Sequence, residues 1–206
     1  LQFAQVYVDG GSGIRLGQFW QASPVERSIL SSYPGASLSM EAVSVDNYLV
    51  AWETGQSTLA ALTDFFTDIH YKIASRFGGT GPELVLTNTA QVVTEPDVSR
   101  ADAYRPAIAS GPDGRAGVAW SLLKYRPGSS GGSELNSNVF LAVLDSAGTR
   151  LSSRFNVTSD TGWFTGGHSY ESPNLAVTGD GRYLVCWIDS FNVGAGVRCA
   201  VHTFDG

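Results

Sequence analysis

Lysine is nearly absent: Lys72 and Lys124 are the only two in 206 residues, and eleven scattered arginines leave a net charge of −6 against 19 acidic residues. No run of Lys or Arg is available to neutralise a phosphate backbone, so nucleic acid is not an expected partner. Cysteine is equally sparse, with Cys186 and Cys199 alone, no CxxC and no Cys/His cluster, which removes the ligand set of a structural zinc site. The three histidines, His70, His168 and His202, are scattered; neither HExxH nor Gly-x-Ser-x-Gly occurs, and Gly10-Gly11-Ser12-Gly13 is too short for a phosphate loop. The expectation is a chain without cofactor or metal, and more a binding protein than an enzyme. No apolar run approaches the roughly 18–20 residues of a membrane span. The chain opens on Leu1-Gln2-Phe3-Ala4-Gln5-Val6, with no Met and no basic-then-apolar leader, and reads as beginning inside a strand of a processed or longer protein.

Glycine and aromatics are plentiful. With 24 Gly, 11% aromatic and 43% hydrophobic residues, the composition supports a sizeable core built from short strands and turns, an all-β chain. Self-similarity organises it. Tyr48-Leu49-Val50-Ala51-Trp52, Ala116-Gly117-Val118-Ala119-Trp120 and Tyr183-Leu184-Val185-Cys186-Trp187 place tryptophans 68 and 67 residues apart. Upstream stand hairpin turns, Asp113-Gly114-Arg115 and Asp180-Gly181-Arg182, with Asp46-Asn47 in the first copy. Further upstream a Tyr precedes a Pro: Tyr33-Pro34, Tyr104 with Pro106, Tyr170 with Pro173; each Pro is expected to open a strand.

Past each Trp comes a loop and then an alternating strand ending in a Gly turn: His70 to Phe77, Val139 to Leu144 and Val197 to Phe204, with Phe3 to Val8 as an opening copy. A fourth strand is expected at Ile14 to Trp20, Glu83 to Leu86 and Thr149 to Val157. From the end of the third strand to the next Trp the spacing is 44, 43 and 43 residues, so length variation is confined to the loop after the Trp. The whole chain, 1–206, reads as one β-repeat region: a partial repeat 1–32, repeats 33–100 and 101–168, and a partial repeat 169–206. Each is an antiparallel four-stranded meander, the layout of a β-propeller blade.

The units Pro106-Ala107-Ile108-Ala109-Ser110-Gly111-Pro112-Asp113-Gly114-Arg115 through Trp120, and Pro173-Asn174-Leu175-Ala176-Val177-Thr178-Gly179-Asp180-Gly181-Arg182 through Trp187, resemble bacterial β-propeller repeats of the TolB type. Val143-Leu144-Asp145-Ser146-Ala147-Gly148-Thr149 is similar to the strand endings of long secreted propeller repeats. The resemblance implies about three blades of a larger β-propeller, completed by further blades of a longer chain or by another protein subunit. A β-sandwich of the same meanders is the alternative. The first repeat departs from the pattern by lacking the second glycine of the turn.

Several residues are candidates for chemistry. Cys186 and Cys199 sit on neighbouring strands of the last repeat and can form a disulfide, which would suit an extracellular, periplasmic or cell-surface location; two buried thiols are the alternative. The loop with Trp163, Phe164, His168 and Tyr170, together with Trp20, is the best candidate for a small ligand such as a glycan. Glu41, Asp97, Asp102 and Glu171 are placed as candidate acid–base carboxylates of a carbohydrate-active propeller, while Asp113, Asp145, Asp180 and Asp205 read as turn formers. In the first repeat Ser57 is positioned to cap a short helix presenting Leu59, Leu62, Phe65 and Phe66 as a partner-docking surface. Tyr125 to Glu134 reads as a flexible loop, and Asn156-Val157-Thr158 is a glycosylation sequon. The three repeated tryptophans are expected to be core.

Overall fold

A computed structural model describes the backbone of residues 2–9, 13–21, 38–57, 65–128, 131–165, 169–190 and 195–203, and side chains for those outside 2–21, 54–57 and 65–66. Strands β1 (Gln2–Asp9) and β2 (Gly13–Gln21) form an antiparallel hairpin. A first meander follows: β3 (Leu38–Ala42), β4 (Asn47–Ser57), β5 (Phe65–Ser75) and the short β6 (Leu84–Val85), each antiparallel to the one before. After one helical turn, α1 (Thr89–Val92), a second meander runs β7 (Arg100–Ser110), β8 (Ala116–Pro127), β9 (Ser133–Leu144) and β10 (Phe155–Asn156). The third is β11 (Tyr170–Val177), β12 (Tyr183–Asp189) and β13 (Gly196–His202). A single parallel pair, Thr67 with Asp102, ties β7 to β5. The protein is all-β: that pair joins the first and second meanders into one eight-stranded sheet, and the third meander and the β1–β2 hairpin form separate antiparallel sheets.

One turn geometry recurs. At Ser75–Gly79, Gly111–Arg115, Gly128–Gly132, Asp145–Thr149 and Thr178–Arg182 the first N–H donates to the last carbonyl, and the fourth residue's N–H donates back to the first carbonyl. That fourth residue is Gly78, Gly114, Gly131, Gly148 or Gly181, with φ between 77° and 91°. A left-handed glycine at this position is the mark of a three-residue hairpin loop closed by a G1 bulge. The turn aspartates act as expected: Asp113 Oδ1 accepts from the Arg115 N–H, and Asp145 Oδ1 from the N–H groups of Ala147 and Thr149. Asp205 lies outside the described residues.

Side chains alternate between two cores. Toward the first meander, Ala116, Val118, Trp120 and Leu122 of β8 join Leu49, Ala51, Ile69 and Tyr71. Toward the third, Ala119, Val139, Leu141 and Val143 join Leu175, Tyr183, Val185 and Trp187. Each fully buried Val or Leu contributes roughly 1.5–3 kcal/mol of transfer free energy. Trp52 is as buried as Trp120, at 1% exposure, but sits with Val50 and Ala74 on the opposite face of its sheet from Leu49 and Ala51.

Three local expectations are corrected. Pro106 and Pro173 lie inside β7 and β11, where the pairing register slips at Tyr104/Ala107 and Glu171/Asn174; the bulge, and not a strand start, absorbs the missing N–H. The residues before them, Arg105 and Ser172, are left-handed at φ 55° and 50°; proline disfavours the right-handed helical region in its predecessor. Tyr33-Pro34 lies outside the described residues. Ser57 ends β4 and pairs with Phe65 in β5, so neither Ser57 nor Phe65 and Phe66 belongs to a helix: ladder hydrogen bonds reach further than the periodicity suggested. Leu59 and Leu62 lie outside the described residues. Finally, β8 and β9 pair as far as Pro127 with Ser133, so both ends of the stretch expected to be a flexible loop are strand, and the Gly128 N–H donates to the Gly132 carbonyl just beyond them; residues 129–130 lie outside the described residues.

A candidate ligand cleft

The early half of β9 carries Asn136-Ser137-Asn138, three polar residues buried in mid-strand. Alternation sends Ser137 one way and the two asparagines the other. The Tyr170 N–H donates to Ser137 Oγ at 2.9 Å, and the Ser137 hydroxyl donates to the Tyr170 carbonyl, which docks the start of β11. On the other face both Asn amides donate to the Asp160 carbonyl, and Asn136 also reaches the Gly162 carbonyl at 2.6 Å. Asn138 Oδ1 accepts from the Asp160 N–H and the Thr158 hydroxyl, both at 2.8 Å. The amides thereby stand in for a strand partner along the irregular segment 157–163. Asn138 is left fully satisfied, which is what makes its burial tolerable.

That segment frames an open cleft of about 410 Å³, lined by Glu95, Lys124, Asn136, Phe140, Asp160 and Trp163 among others. Trp163 is held in place: the Arg126 guanidinium sits 4.5 Å from its ring centroid, and Arg126 is paired with Glu134 through Nε at 2.7 Å and Nη2 at 2.6 Å. Phe140 is stacked on Trp120 with ring centroids 5.8 Å apart. Across the cleft the Lys124 ammonium donates to Glu95 at 2.5 Å. The Asp160 carboxylate accepts from the Gly162 N–H at 2.7 Å. Burial first, and then this carboxylate beside it, push the Tyr170 phenol up to about 12, so it stays protonated as a hydrogen-bond donor.

Of the expected ligand residues, Trp163 lines the cleft and Tyr170 stands next to its Asp160 wall. Phe164 is used differently: its backbone exchanges two 2.9 Å hydrogen bonds with Leu135, and its ring packs over Gly162. His168 lies outside the described residues, as does the Trp20 side chain, although Trp20 itself pairs with Phe3 in the β1–β2 hairpin. Asn136, Asn138, Lys124 and Glu95 were not anticipated; the only sequence signal is an Asn-x-Asn pair next to an apolar strand. The sequon side chains serve the loop, with Asn156 Oδ1 accepting from the Ser159 N–H and Thr158 Oγ1 from the Val139 N–H.

The four candidate carboxylates are engaged separately. Glu41 accepts from the Ser110 hydroxyl, Asp97 sits in a left-handed turn, and Asp102 is paired with Arg100 at 2.7 Å. Burial raises the Asp102 pKa, against the opposing pull of Arg100. Glu171 joins a chain that crosses all three meanders: Glu53 of β4 accepts from the Arg105 N–H at the bulge, and the Arg105 guanidinium donates to Glu171 and Ser172, both at 2.7 Å. This cluster pins the left-handed bulge residues. Among the described residues no group of three or more His, Cys, Asp and Glu side chains is placed to hold a metal ion.

His70 is structural, 1% exposed with Nδ1 2.6 Å from Glu83. Cys186 and Cys199 stand directly opposite each other in the β12–β13 ladder and form a disulfide, with Cα atoms 4.0 Å apart. No described helix is long and apolar enough to cross a membrane. No protein-family model matches the chain, and no curated protein matches it in sequence.

Proposed function

We propose that the chain is a non-catalytic β-propeller-type segment that works in protein binding and assembly. One observation carries this. Trp120 of the second meander faces the first and Trp187 of the third faces the second, while the reverse face of each earlier sheet receives its successor. A sandwich accounts for two facing cores equally well; the constant direction of the tryptophans favours blades in sequence. By that rule the reverse face of the third meander is the next docking surface. It is apolar and open: Ile188 pairs with Val197 across the ladder and Val201, opposite Leu184, lies two pairs beyond the disulfide on the same face, at 46%, 74% and 50% exposure. Its occupant is a further β-meander of the same type, because that is what covers the corresponding faces of the first two. The Cys186–Cys199 bridge on this sheet suits an oxidising, extracytoplasmic compartment.

The test fuses a second copy of residues 99–157 after the C-terminus. Dye binding to exposed apolar surface should fall and the thermal midpoint should rise by several degrees, and Val197→Glu with Val201→Glu should cancel both effects. Unchanged dye binding and midpoint overturn the reading. So does sedimentation showing that the unextended chain already buries Val197 and Val201 against a second copy of itself.

A further inference from the structure

We propose that the cleft between β9, the 157–163 segment and Glu95 binds a neutral pyranose. It is independent of the assembly reading, because the cleft is a concave polar site on β9 and the docking face is an open apolar one on β12 and β13. A pyranose has an apolar C–H face and a rim of hydroxyls, each both donor and acceptor. Recognising one takes an aromatic surface and, within one ring's span, both a hydrogen-bond donor and acceptors. The residues that line the cleft supply this chemistry: Trp163 and Phe140 are aromatic, Lys124 is a donor, and Glu95 and Asp160 are acceptors. Its volume of about 410 Å³ falls within the roughly 300–1,000 Å³ of small-ligand sites.

The charges decide between ligand classes. The charged lining is Glu95, Asp160 and a lysine already paired with Glu95, with the Arg154 guanidinium 5.9 Å from the Phe140 ring centroid beside it, so there is no cluster of cations to hold phosphate, sulfate or sialic acid and the ligand class is neutral. Preorganisation also favours binding. Asn136 and Asn138 are 5% and 4% exposed and spend their amides on the loop that carries Asp160, while Arg126 holds the Trp163 ring, so little ordering is left to be done when a ligand arrives.

Saturation-transfer NMR with methyl glucoside, galactoside, mannoside and N-acetylglucosaminide, backed by an immobilised glycan array, tests the proposal. At least one neutral pyranoside should receive saturation, with affinity falling more than tenfold in Trp163→Ala and in Lys124→Met and largely retained in Trp163→Tyr. Lys124→Met also guards against a folding artefact, since it keeps the aliphatic stem, and its thermal midpoint should stay within a degree or two of the parent. The proposal is overturned if no neutral pyranoside binds, if only sialylated or sulfated glycans do, or if Trp163→Ala binds as well as the parent.

Discussion

Gly117 is the sharpest probe of how the second and third meanders meet. It lies in β8 opposite the Tyr183 ring, and a Cβ built there falls 2.7 Å from Tyr183 Cδ1 and Cε1 and 2.9 Å from Leu175 Cδ2. An ordinary carbon contact is about 3.5 Å, so Gly117→Ala requires a ring that is 2% exposed to move by about 0.8 Å. Overpacking of this kind costs about 1–3 kcal/mol. Replacing glycine restricts the unfolded chain and returns about 0.4–1 kcal/mol, leaving a net loss centred on about 1.3 kcal/mol. At about 2–4 °C per kcal/mol for a chain of this size, the midpoint falls by about 3–5 °C in a calorimetric or circular-dichroism melt. Gly179→Ala is the control, because nothing lies within 4 Å of its Cβ and its φ is not left-handed. In a Tyr183→Leu background the Gly117→Ala penalty should shrink by about 1 kcal/mol, the coupling expected of touching residues. A neutral Gly117→Ala, or strict additivity with Tyr183→Leu, would refute the packing of the third sheet on the second.

Two further outcomes follow from the cores and the titratable groups. Trp120→Ala removes the largest side chain of the first core, 1% exposed and stacked on Phe140, and should cost about 3–5 kcal/mol in urea denaturation; a loss below 1 kcal/mol contradicts its core role. Burial lowers the pKa of His202, whose ring lies 4.7 Å from that of Phe155. The unfolded chain therefore takes up a proton near pH 6.5 that the folded chain resists, and stability present above that pH is lost as pH falls toward the folded value. The urea midpoint of His202→Gln should decline less between pH 7.5 and 5 than that of the parent, and identical slopes would remove His202 from the account.

Strand order was legible because the repeat is written in turn chemistry: Asp113-Gly114 and Asp180-Gly181 announce the left-handed glycines that tight hairpins use. Strand ends were not. Tyr125 to Glu134 is rich in Gly, Ser and Pro, yet the Arg126–Glu134 ion pair and the ladder up to Pro127 carry β8 and β9 to within a five-residue turn. Composition reports average preference, whereas cross-strand partners decide the last residues. The bulges at Arg105 and Ser172 were equally hidden, because a Tyr with a nearby Pro fits a strand start as well as a slipped register. Trp163 and Tyr170 stood out as aromatics in a loop. The amides that position Trp163 did not, since Asn136 and Asn138 precede the apolar stretch Val139 to Leu144 that marked the strand, and a buried asparagine is justified only by the loop carbonyls folded onto it.

Strand β8 serves both cores at once, and from Ala116 to Leu122 every residue is buried. With Leu123 added, the stretch Ala-Gly-Val-Ala-Trp-Ser-Leu-Leu has no charge and no proline, the profile of a segment that pairs with copies of itself when uncovered. Its two faces are covered at different moments of synthesis. The Trp120 face finds the first meander already made when it leaves the ribosome. The Gly117 and Ala119 face waits for β11 to β13, whose last residue, His202, follows the end of β9 at Leu144 by 58 residues. At about 5–20 residues per second the delay is about 3–12 s. In that interval a half-made chain presents its most adhesive strand to its neighbours on the same polysome, and losses to aggregation should track the speed at which the third meander is translated.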